Sequence, residues 1–186
     1  MQNLREDKAY TYGCYSSLDL DENGSTFSAG GNFRNEVTDS AITEILSEFA
    51  KIRESEVTDD EISLTKSSMA GGFARSLERP STISRFALRI IKYNLDKDYY
   101  KTYLKRLGAV SKEDVLAMAK KYLTSENCNI IVVGNEDILP SLEKFDSDGK
   151  IDLLDAFGNP VQNIKPAAQK TAHRSYEIQI QNLRNA

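Results

Sequence analysis

Near the start of the chain, apolar positions alternate with polar ones. Tyr10, Tyr12, Cys14, Leu18 and Leu20 share one side of an expected strand over residues 9–20. Phe27, Ala29, Gly31 and Phe33 alternate over residues 25–33 and predict its hairpin partner. Between them Asp21-Glu22-Asn23-Gly24 carries the Asn-Gly pair that a type I′ turn requires, because both central residues take positive φ. Ahead of the hairpin the charged segment Arg5 to Lys8 reads as a helix end or loop feeding the strand. That reading puts Arg5 at the strand's mouth and Tyr12, seven residues on, on its early part.

From about Glu36 the period lengthens to that of a helix. Ile42, Ile45, Leu46, Phe49 and Ile52 fall on one stripe of roughly five turns. Thr58-Asp59-Asp60-Glu61 is a capping box, and the helix it opens carries Ile62, Met69, Phe73 and Leu77 before stopping ahead of Pro80. Gly71-Gly72 inside that helix costs about 1 kcal/mol per glycine relative to alanine, which implies close packing, a kink or looseness. Ser81 is the expected cap of a third helix with Ile83, Phe86, Ala87, Ile90 and Ile91 inward. A short fourth helix around Tyr99, Tyr100, Tyr103, Leu104 and Leu107 is expected to end at Gly108. Ser111-Lys112-Glu113-Asp114 opens a fifth, with Val115, Leu116, Ala119, Tyr122 and Leu123 as its stripe.

The apolar run from Cys128 to Gly134 predicts a central strand buried on both faces or nearly so. Asn135 can cap a last helix with Ile138, Leu139, Leu142 and Phe145. Thereafter come a turn at 146–149, a short strand over Ile151 to Leu154, a turn at 157–160, a polar stretch from Val161 to Ala172, and an edge strand through Tyr176, Ile178 and Ile180. The element order gives an α+β domain, an antiparallel sheet with helices packed on one face.

Composition narrows the function classes. With 186 residues, 40% of them apolar and 28% charged, the chain has enough material for one domain with a core. It has no apolar run long enough to span a membrane. The net charge is -4, and the positive charges read as interspersed with acids, so nothing suggests nucleic acid as a partner. Cys14 and Cys128 both lie in apolar strand-like segments; free buried thiols are the first reading and an inter-strand disulfide the second. The chain enters charged residues directly after Met1-Gln2-Asn3, which makes a piece of a longer polypeptide the expectation. The compartment stays open; a signal peptide on a longer form would favour the bacterial periplasm or cell envelope.

Catalytic residue types are scarce. The single histidine, His173, stands in the polar tail, far short of the three or four clustered ligands a zinc site needs. The cysteines lack Cys-x-x-Cys spacing, and Gly30-Gly31 lies inside a strand pattern with no phosphate-loop lysine after it. Asp59-Asp60-Glu61 suits a helix N-terminus, which attracts negative charge. Arg5 and Tyr12 are the remaining candidates: a guanidinium and a phenol are both donors and could clamp a carbonyl or carboxylate oxygen. On the residues alone, the plainer reading is a surface arginine beside a half-buried strand tyrosine.

Leu4-Arg5-Glu6 with Tyr12, a hairpin, a long helix, the Val57-Thr58-x-x-Glu61 helix start and the Asn129-to-Asn135 strand end resemble, in that order, the pitrilysin/insulinase/mitochondrial-processing-peptidase group. The resemblance covers roughly residues 4 to 145. These are zinc peptidases with the inverted H-x-x-E-H motif, in which two homologous halves enclose a chamber. The resemblance implies that this chain, which has no H-x-x-E-H, is the non-zinc, C-terminal-type half or a piece of it, inactive alone. It implies substrate-binding roles for Arg5 and Tyr12, zinc in a partner half carried in the same chain or on a separate subunit, and a peptide or unfolded protein as substrate. It also implies a division into residues 1–146, a family domain incomplete at its N-terminus, and residues 147–186, a C-terminal extension. A catalytically inactive scaffold or interaction domain of the same family is the alternative.

Overall fold

The hairpin forms, but its first strand starts later than the alternation predicts. In the computed structural model, which describes residues 2–21, 24–124, 128–146, 149, 151–161 and 176–184, β1 is Cys14–Asp19 and β2 is Ser25–Phe33. They pair antiparallel with Cys14 opposite Gly31 and Asp19 opposite Thr26. Tyr10 and Tyr12 therefore precede the strand. The proposed Asn23-Gly24 turn, the Ser147-Asp148 turn, the polar stretch from 162 onward and His173 fall wholly or partly outside the described residues.

The sheet has four strands in the order β1-β2-β4-β3, all pairings antiparallel, with β3 at Cys128–Val132 and β4 at Tyr176–Arg184. Two expectations are thereby corrected. The apolar run of β3 sits at an edge, and its residues alternate between half-buried (Cys128, Ile130, Val132) and exposed (Asn129, Ile131). Ile131 is 47% exposed, and its presence is what made a one-sided strand look two-sided. The C-terminal strand, expected at an edge, lies between β2 and β3 and pairs along nine positions of β2. Residues 151–154 make one isolated bridge, Leu154 with Pro160, rather than a strand.

Cys14 and Cys128 stand on strands separated by two others. At about 4.8 Å per strand that is beyond disulfide reach, so the two thiols do not bond to each other. Burial pushes the Cys128 thiol above its ordinary pKa, so it is a poor nucleophile.

Two compact units make up the fold, Met1–Ala50 with Leu123–Ala186, and Lys51–Tyr122. In the first, α1 (Thr38–Glu54) lays Ala41, Ile42, Ile45 and Phe49 against Ala29 and Phe33 of the sheet, as its period requires. Phe27 and Phe49 meet edge to face at 5.8 Å. Leu142 joins this core from the short helix Leu139–Leu142, flanked by single turns at Glu136–Ile138 and Glu143–Phe145. The single helix expected after Asn135 is thus broken up: the Asn135 side chain donates to Asp137 Oδ2 at 2.8 Å and caps nothing. Lys144 Nζ ties this segment to α1 through Asp39 Oδ2 at 2.8 Å, which holds the Asp39 carboxyl below its ordinary pKa.

The second unit is helical. The capping box opens α2 (Asp59–Ser76): Glu61 N–H donates to Thr58 Oγ1 at 3.2 Å and Thr58 N–H to Glu61 Oε2 at 2.8 Å. A Cβ at Gly72 would meet nothing within 4 Å, so close packing does not explain the glycine pair. The next helix, α3 (Pro80–Lys92), starts one residue before the expected cap, with Pro80 in its first turn and Arg79 as its cap residue. Thr82, Phe86 and Ile90 face inward, whereas Ile83, Ala87 and Ile91, expected inward, are exposed. Then α4 (Tyr103–Ala109) takes Gly108 into its last turn, so Gly108 is not the residue that ends it, and Tyr99 and Tyr100 lie before it. Phe86 stacks on Tyr100 at 3.7 Å and Phe73 on Tyr103 at 4.3 Å. The unit closes with α5 (Lys112–Tyr122), opened as expected by Ser111, whose Oγ accepts from Asp114 N–H at 3.1 Å. Helices and an antiparallel sheet in separate stretches of chain make this an α+β protein.

Candidate functional site

Residues Gln2–Asp7 form a wide helical turn in which Lys8 N–H reaches back to Asn3 O at 3.0 Å. Tyr10 N–H then returns to Leu4 O at 2.9 Å, and Ala9 between them takes a left-handed φ of 52°. That conformation costs a non-glycine residue on the order of 1 kcal/mol, so the surroundings must enforce it. They do so with apolar and polar anchors. Leu4 is 5% exposed in the core, and Tyr10 packs on the same cluster. Asn3 Nδ2 donates to Glu44 Oε2 at 2.9 Å and Glu48 Oε1 at 2.8 Å on α1, and Lys8 Nζ pairs with Glu44 Oε1 at 3.3 Å.

The polar anchors leave a signature on Glu44. The Asn3 hydrogen bond first, and then Lys8, hold its carboxyl below the ordinary value despite partial desolvation. On the far side of the loop, Thr11 Oγ1 donates to Asn32 O at 2.7 Å while accepting from Gly13 N–H at 3.1 Å. Gly31 completes the seat: a Cβ there would lie 2.6 Å from Gly13 O. Only glycine lets the loop and β2 come this close.

With Leu4 and Tyr10 turned inward, their neighbours project outward. Arg5 has a side chain 49% exposed and, among the described residues, an ion pair to adjacent Glu6, Nε to Oε1 at 3.3 Å. Such a surface pair is worth about 0–1 kcal/mol and yields readily to a better anion. Tyr12 is 99% exposed, so it is neither a core tyrosine nor a strand residue. No hydrogen bond joins Arg5 to Tyr12 among the described residues; the fold presents both from one pinned loop without linking them.

Sequence reasoning singled out Arg5 and Tyr12, placed Tyr12 on a strand rather than in the loop, and missed the residues that position the loop. Asn3 and Glu44 are 41 residues apart, and Thr11 and Asn32 are 21 apart. No local pattern announces either contact. A zinc site does not fit these residues: among the described ones no three His, Cys, Asp or Glu side chains cluster to hold a metal ion. No described helix is long and apolar enough to cross a membrane.

Residues 1–69, which include the pinned loop, the hairpin, α1 and the capped start of α2, match the family model of the peptidase M16 inactive domain. No curated protein matches the chain. Over residues 1–69, the part that carries Arg5 and Tyr12, the chain is thus similar to the inactive, C-terminal-type domain of M16 peptidases.

Proposed function

We propose that this chain is the substrate-contacting, non-catalytic half of a pitrilysin-like zinc endopeptidase. The observation that carries the reading is the loop of residues 3–13: the side chains of Asn3, Leu4, Lys8, Tyr10 and Thr11 and a positive-φ residue hold it, yet Arg5 and Tyr12 are exposed. A loop fixed this firmly with two exposed donors is preorganised to receive an acceptor. When water attacks a peptide carbonyl, charge develops on its oxygen; the Tyr12 phenol can donate to that oxygen while the Arg5 guanidinium holds a neighbouring carbonyl. In this reading the metal and the base that activates water reside in a homologous partner half, in the same polypeptide or on another subunit.

The test is reconstitution with a zinc-binding half. Tyr12→Phe is expected to lower turnover by roughly ten- to a thousandfold with zinc content unchanged. Unchanged kinetics would overturn the role and leave an inactive scaffold of the same family as the better description.

A further inference from the structure

The basic residues of the chain are not evenly spread, contrary to the expectation from sequence. Residues 62–111 hold ten lysines and arginines against three acids, Glu78, Asp96 and Asp98, within a chain whose net charge is -4. Helix α3 is the focus. Between Pro80 and Lys92 it has no acidic residue, and it carries Arg85, Arg89 and Lys92 with Arg79 at its cap. The helix dipole favours Arg89 and Lys92 in the last turn but disfavours Arg79 at the start. Folding of the helix itself therefore does not account for the excess.

The same helix shows solvent a stripe of large apolar side chains. Ile83 is 52%, Leu88 67% and Ile91 78% exposed. Ile83, Ala87 and Ile91 follow at four-residue spacing, the row that a partnering segment packs against. At 100° per residue, Leu88 extends this stripe, and Lys92, Arg85 and Arg89 form the adjoining arc. Inside the unit, Thr82, which accepts from Arg85 Nη2 at 3.3 Å, and Phe86, stacked on Tyr100, take the opposite side.

We propose that the exposed face of α3 binds acidic amphipathic peptide segments, apolar side chains lying on Ile83, Leu88 and Ile91 and carboxylates against the arginines. Charge complementarity selects this occupant: an acid-free basic arc bordering an apolar stripe rejects basic segments and attracts acidic ones. The inference rests on the peptide-handling reading above for its meaning, but its test reads binding rather than turnover.

The experiment measures fluorescence anisotropy of the full chain with a labelled Leu/Glu amphipathic peptide of about four turns and with the same peptide carrying Lys for Glu. The acidic peptide is expected to bind about tenfold or more tightly than the basic one, with a preference that shrinks as salt rises. Arg89→Glu and Ile91→Ser, both at the surface, should each weaken it about tenfold with circular dichroism unchanged. Equal binding of the two peptides, indifference to both substitutions, or binding to phosphatidylserine vesicles in place of the peptide would overturn the proposal. Tyr12→Phe should leave the peptide preference intact, so failure here and failure of the peptidase reading are separable.

Discussion

The two units differ in what they bury rather than in what they show to solvent. In the first, Phe33 and Ile42 are 1% and 0% exposed, although Leu18, Leu20, Val133 and Leu154 lie more than half in solvent. In the second, the deepest residues are Thr82 at 2% and the small Ala119 at 4%, while Ile83, Leu88 and Ile91 lie more than half in solvent. The first unit is held by a sheet–helix core, the second by helix caps and stacked rings on Phe73, Phe86, Tyr100 and Tyr103. A pinned loop needs a dense core beneath it, because side-chain anchors such as Asn3–Glu44 hold only as well as the helix that bears them. An apolar face left open suits a surface that acquires its partner later.

The sharpest way to break this contrast is to empty each side in turn. Phe33→Ala should destabilise the protein by about 3–5 kcal/mol, since a nearly fully buried ring leaves a cavity. Leu88→Ala, at 67% exposure, should change stability by no more than about 0.5 kcal/mol. Urea unfolding measures both; equal effects would erase the distinction between the units.

A smaller effect is expected at the seat of the loop. Gly31→Ala puts a methyl 2.6 Å from a backbone oxygen of Gly13, and a cost of about 1–3 kcal/mol should follow as β1 and the loop shift away. Limited proteolysis should then cut within residues 8–13 faster than in the parent chain. A neutral result would mean that the loop is not seated against β2.

The smallest effect is electrostatic. Glu44 is held below its ordinary pKa of 4.5 by Asn3 and Lys8. Its contribution to stability is therefore fully present above about pH 4.5 and lost as pH falls through the lowered folded value. Asp39, lowered mainly by Lys144, adds a loss of the same sign on acidification. Glu44→Gln should flatten the fall of stability below pH 4.5, as followed by thermal melts across that range. An unaltered slope would show that the tie between α1 and the opening segment does not persist in solution.

Much of this molecule was legible residue by residue. The hairpin, the stripe of α1, the capping box at Thr58 and the start of α5 at Ser111 depend on neighbours within a turn or two, and all formed. Arg5 and Tyr12 became candidates through the family resemblance, since the residues alone favoured a surface arginine beside a half-buried strand tyrosine; Tyr12 is instead 99% exposed ahead of the strand. Errors arose where a local pattern admitted two faces. On α3 the inward stripe lies one residue earlier than chosen, because apolar residues cover most of its circumference and periodicity alone does not say which third is buried. Tyr12 fitted a strand alternation, but Ala9 at φ 52° and the Thr11 bonds end the extended backbone before it begins.

What the sequence determined by itself is therefore the hairpin, the helices α1, α2 and α5, and the starts at Thr58 and Ser111, all of them consequences of short-range geometry and side-chain type. Tertiary structure alone decided the order of the strands, with Tyr176–Arg184 seated inside the sheet and Cys128–Val132 at its edge. A strand's alternation records which side chains share a face but not which backbone lies beside it; that is settled by pairing across 143 or more residues of separation, as between Phe33 and Tyr176. The same holds for the site. The resemblance singled out Arg5 and Tyr12, but the contacts of Asn3 with Glu44 and of Thr11 with Asn32, which hold the loop that carries them, are visible only in the tertiary structure.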